Sequence, residues 1–90
     1  GQRSGGPDTT PPELVLQRPQ VNGTLVILMG RSEPGSAVSV NGEPADVDAS
    51  GNFKKVISFD REGVNVITVR AVDGAGNETL RRETVMIDLY

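Results

Sequence analysis

Apolar and polar residues alternate with period two through most of this chain, and turn residues interrupt the alternation at short intervals. Such a pattern predicts short strands separated by tight turns. Glu13 to Gln17 reads as a first strand closed by Pro19, and Thr24 to Gly30 as a second, entered through Asn22-Gly23. Glu33-Pro34-Gly35-Ser36 carries the Pro-Gly signature of a type II turn. Ala37 to Val40 then leads into Asn41-Gly42, the strongest short hairpin signal. A return strand over Ala45 to Asp48, the turn Asp48-Ala49-Ser50-Gly51-Asn52, and strands at Phe53 to Phe59, Val64 to Val72 and Thr79 to Leu89 complete the series. The one rival helix lies around Leu80, Thr84 and Ile87, and the β-branched alternation of Val85 and Ile87 favours a strand there. The strands are all short, and tight turns make them antiparallel. They cover their apolar faces by closing into two packed sheets, an all-β sandwich of about seven strands.

Period-two parity assigns the core to Leu14, Leu16, Val26, Leu28, Val38, Val40, Ile57, Phe59, Ile67, Val69, Ala71, Val85 and Ile87, with Phe53 and Val47 joining them. The same parity turns Leu25, Ile27 and Met29 outward, with Val15 and Val56 on the neighbouring strands. These five side chains are expected to form one apolar outer face, a candidate contact surface. A neighbouring domain, a protein partner or a second copy would cover it.

Composition narrows the functions. Ninety residues make one small domain. Residues 1–11 read as a tag remnant or a stiff, proline-containing inter-domain linker, and residues 12–90 as the domain. The absence of cysteine excludes disulfides and thiolate zinc sites. A net charge of −3 with three aromatic residues offers no nucleic-acid surface. No apolar run approaches the length of a membrane-spanning helix.

Candidate chemistry centres on Asp73-Gly74-Ala75-Gly76-Asn77. A phosphate cradle requires a following helix and a lysine, and both are missing. Calcium requires several converging oxygens, to which Asp73, Asn77 and, from the linker, Asp8 could contribute. A strand corner explains every residue: aspartate accepts backbone N–H bonds, and glycine and asparagine take positive φ. No metal and no cofactor is therefore expected. Asp46 and Asp48 share a strand face at a spacing glycosidases also use, but read as solvated edge charges. Ser36, Ser39 and Ser50 lack an activating base. Lys55 points inward with a snorkelling amine, and Asn65 is expected to bind turn backbone. The chain is expected to be non-catalytic. Phe53 and Phe59 occupy core positions and Tyr90 is terminal, so no flat aromatic sugar platform is predicted.

The stretch from Val38 to Asn77 resembles bacterial immunoglobulin-like modules of the glucodextranase-like and bacterial Ig-like families. The shared features are Val-Ser-Val-Asn-Gly, the Val-Asp-Ala-Ser-Gly-Asn-Phe strand start, and Gly-Val-Asn-Val-Ile-Thr-Val-Arg-Ala-Val-Asp running into Ala-Gly-Asn. Asp8-Thr9-Thr10-Pro11-Pro12 is similar to the linkers between such modules, and the likeness extends over residues 8–89. It implies an Ig-like or fibronectin-III-like sandwich acting as a structural or spacer module of a larger extracellular, cell-surface or periplasmic protein; the alternative is an adhesive module for protein or glycan. The second strand is more apolar than the family pattern, and Leu80-Arg81-Arg82-Glu83 is bulkier and more charged.

Overall fold

The computed structural model describes residues 10–88. Eight strands occur in chain order: β1 Leu14–Leu16, β2 Gln20–Asn22, β3 Leu25–Ser32, β4 Ala37–Val40, β5 Glu43–Ala45, β6 Asn52–Ser58, β7 Gly63–Val72 and β8 Glu78–Ile87. They form two antiparallel sheets packed as an Ig-like sandwich, with no helix among the described residues. In the first sheet β3 is central. It pairs with β6 on one side, Ile27 opposite Val56, and on the other with β1 and then β2 in succession. The second sheet has the order β5-β4-β7-β8.

The core is the interleaved inner faces of both sheets. Leu14, Val26, Leu28, Val38, Val40, Phe53, Ile67, Val69, Ala71, Val85 and Ile87 are buried, with Leu16, Val47, Ile57 and Phe59 packed against them. Period-two parity held at each of these positions because strands with one wet face cannot slip by one residue without exposing the whole apolar set.

Two elements depart from expectation. β2 has no apolar alternation, since Gln20, Val21 and Asn22 are all exposed. It exists because Asn22-Gly23 is not merely the way into β3 but folds the chain back on it, pairing Asn22 with Leu25. Gly23, with φ +63°, occupies the first loop position, as in a type II′ hairpin. The return strand expected at Ala45 to Asp48 lies instead at Glu43–Ala45; beyond it Val47 makes only an isolated bridge to Phe53, so Asp46 and Asp48 do not share a strand. The two-residue Asn41-Gly42 loop, with φ +50° and +84°, is a type I′ turn that sets Glu43 directly opposite Val40. Pro44 is tolerated because β5 is an edge strand.

Pro12 is buried, and its carbonyl accepts a 2.6 Å hydrogen bond from the Thr79 hydroxyl at the start of β8. Pro12, the first residue assigned to the domain, is thus part of the folded body. Lys55, expected to end in water, instead bridges the sheets: its Nζ donates to the Pro44 carbonyl at 3.2 Å and lies 3.6 Å from Glu43. The charged run in β8 also has a structural reading. Arg81 pairs with Val69 and Glu83 with Ile67, so both point to the inner side of an edge strand. Inward charges of this kind discourage edge-to-edge aggregation.

Candidate functional site

The pentad Asp73 to Asn77 and the earlier Asp48 to Asn52 adopt one and the same turn. In each, the first aspartate N–H donates to the closing asparagine carbonyl, at 2.9 Å from Asp48 and 3.0 Å from Asp73. Asp48 Oδ1 accepts the N–H groups of Ser50 and Asn52, both at 2.9 Å. Asp73 Oδ1 accepts those of Ala75 at 3.0 Å and Asn77 at 2.8 Å. The fourth residue is glycine with positive φ, +92° at Gly51 and +88° at Gly76. These are three-residue hairpin loops with glycine in the left-handed position, and the aspartate side chain satisfies donors the tight loop would otherwise leave open.

This geometry accounts for both acids. The Asn52 N–H bond is the chief influence lowering the Asp48 carboxyl below its ordinary range, against a smaller opposing desolvation. At Asp73 desolvation pushes the carboxyl up, but the backbone and side-chain N–H bonds of Asn77 and the Ala75 N–H outweigh it, and the net displacement is downward. Asp73 Oδ2 is itself bound by Asn77 Nδ2 at 3.1 Å, so both carboxylate oxygens already serve the loop. Among the described residues no three acidic side chains come together as metal ligands. Asp8 lies outside the described residues. Ser36 is buried and its hydroxyl finds no partner among the described residues, while Asn65 Nδ2 donates to the Arg61 carbonyl at 2.8 Å.

Asp46 and Asp48 both border an open groove of about 590 Å³. Gln17, Met29, Val47, Asn52, Phe53 and Lys54 also line it. Phe53 is no sugar platform: it is buried, and its ring lies so close over Gly30 that a Cβ there would come within 2.8 Å of Cζ.

The five residues of the proposed contact face lie on the outer side of the first sheet. Val15, Leu25 and Val56 are exposed, and Ile27 and Met29 half-buried. β3 runs between the strands that carry Val15 and Val56, and Ile27 and Val56 are direct cross-strand neighbours. Lys54 stands opposite Met29 and Arg31 opposite Val15 at the end of the face.

Sequence reasoning overlooked a second apolar surface, the outer side of β7 and β8. Val64 and Met86 are a cross-strand pair, 63% and 64% exposed, more than any residue of the first face. Val66 continues it along β7, while Leu80, also exposed, lies apart opposite Arg70. The signal was present in the runs Val64 to Val72 and Val85 to Ile87, where apolar residues fill both parities.

A search of curated proteins returned no match. The family model described as "Glucodextranase, domain B" matches residues 12–89, the span from the buried proline to just beyond the last strand. An antiparallel two-sheet sandwich matched over nearly its whole length in this way belongs to the glucodextranase domain B family, a family of Ig-like domains.

Proposed function

We propose that the chain is a non-catalytic spacer module of a larger bacterial extracellular or cell-envelope protein, holding neighbouring domains apart in line. The supporting observation is the placement of its two connections. Pro12 is tied to Thr79 at the start of β8, and Ile87 is the far end of the same strand. Eight residues of extended chain separate those points by about 27 Å. A chain that enters at one end and leaves at the other transmits separation, and the proline-containing approach with its buried anchor stiffens the junction. The family description, a lettered domain of glucodextranase, supports a modular role.

The test exchanges residues 12–89 in the longer protein for an unrelated sandwich of equal end-to-end length, and separately for a flexible linker. A spacer predicts that the sandwich preserves the parent's activity and the linker lowers it. Loss with both replacements would overturn the spacer reading in favour of a specific binding surface. The outer face of Val15, Leu25, Ile27, Met29 and Val56 supports that second, adhesive reading, in which a neighbouring domain or partner protein packs on the first sheet.

A further inference from the structure

The ten residues of β7 are paired along their whole length by β8, but β4 covers only Val69 to Val72 on the other side. Just beyond, Asn41 closes one more position: its N–H donates to the Thr68 carbonyl at 2.8 Å and its Oδ1 accepts the Thr68 N–H at 2.9 Å. Alternate residues of a strand direct their backbone groups to the same side. Since Thr68 faces the β4 side, Val66 and Val64 do too. No described strand pairs with them there, and the hairpin of β4 and β5 has already turned away at Gly42.

We propose that this open stretch of β7 is a docking site for an extended segment of another polypeptide, which adds to the second sheet as a strand below the Asn41-Gly42 hairpin. The exposed groups define the occupant's chemistry. Two N–H and two C=O groups at a two-residue spacing are complemented by another extended backbone. Residues placed opposite Val64 and Val66 would share their outward face, where Val64, Val66 and Met86 are exposed, and apolar β-branched side chains fit there. The intervening residues turn toward the core side, where Ile57 and Phe59 are only half-buried. A second copy presents the same two-residue edge, so slowing of the Val64 and Val66 amides with rising protein concentration in the absence of peptide would assign the edge to self-pairing and overturn the proposal. The Asn41 stop also sets the register, since a docked segment cannot slide past Thr68.

The test uses a short synthetic peptide of alternating valine and threonine with lysine at each end, and a counterpart N-methylated along its hydrogen-bonding edge. Amide exchange is followed by NMR on the described domain. Without peptide, the Val64 and Val66 amides should exchange fast and those of Asn65 and Ile67, which face β8, slowly. The first peptide should slow Val64 and Val66 by about tenfold or more, and the N-methylated one should not. Val66→Pro, which removes a donor on the unpaired side alone, should abolish the effect in a domain that still folds. No slowing at millimolar peptide, equal slowing by the N-methylated peptide, or perturbation confined to the outer face of the first sheet would each overturn the proposal. The peptide comparison stands even if Val66→Pro fails to fold.

Discussion

Asn41 stands in for a piece of β-strand that is not there. Its side-chain oxygen takes the Thr68 N–H at 2.9 Å while its own N–H reaches the Thr68 carbonyl at 2.8 Å, so the β4–β7 ladder gains one rung after the backbone has left for the turn. The same residue sits at φ +50°, the only non-glycine with positive φ among the described residues. Asn41→Gly keeps the turn conformation and loses only the bond to Thr68. It should cost about 0.5–1.5 kcal/mol in urea unfolding. Asn41→Ala loses the bond and must also hold the left-handed conformation, for a further 1–2 kcal/mol or so. Equal destabilisation by the two would show that the turn does not depend on the conformation.

The two aspartate turns make stability depend on acid. Both carboxyls are lowered in the fold, so their contribution is fully present above the unfolded value near 4 and is lost as pH falls from there through the lower folded values. The melting temperature should therefore drop below about pH 4. A double Asp48→Asn, Asp73→Asn variant should show a shallower acid limb. An unchanged acid limb would assign it to other carboxylates.

Gly51 and Gly76 hold equivalent places in the two turns but should respond differently to alanine. Both have φ near +90°, so each change carries a conformational penalty of about 1–2 kcal/mol. A Cβ at Gly76 meets nothing within 4 Å, whereas one at Gly51 would lie 2.0 Å from the Ser32 carbonyl oxygen, which belongs to backbone. The Gly51 N–H and C=O are also used, the latter by the Ser32 N–H at 2.8 Å. Gly51→Ala should exceed Gly76→Ala by about 1–3 kcal/mol in chemical denaturation. Similar values would mean that the Ser32 strand end yields freely.

Thr79→Val should loosen the junction. The hydroxyl bonds a buried carbonyl at 2.6 Å, and leaving that acceptor empty costs about 1–3 kcal/mol. Relaxation of backbone amides near Thr10 should rise in the variant while the sheets are unaffected. Unchanged relaxation would place the stiffness of the junction in the prolines instead.

Ile27→Lys probes the outer face of the first sheet. The residue points away from the core and is half-buried among its neighbours, so the domain should fold with a loss within about 1 kcal/mol. Any self-association or domain packing through that face should weaken, as read by sedimentation. Unfolding would mean that Ile27 is needed by the core.

Alternation with period two, together with Asn41-Gly42, Pro34-Gly35 and the two Asp-to-Asn pentads, was enough to establish a sandwich, its core and the outward set around Ile27. These are local properties: a strand with one wet face must alternate, and particular turns demand glycine or asparagine at particular positions. β2 escaped notice because its three exposed residues carry no pattern, and only pairing to β3 makes them a strand. Both Lys55 and the Thr79 hydroxyl meet partners far off in the chain, Pro44 in the other sheet and Pro12 near the start, which spacing cannot reveal. The open length of β7 is decided at the same level. A strand's own residues specify its two faces, but whether its edges are covered depends on where neighbouring strands stop, and β4 stops at Val40 because Asn41-Gly42 turns it back.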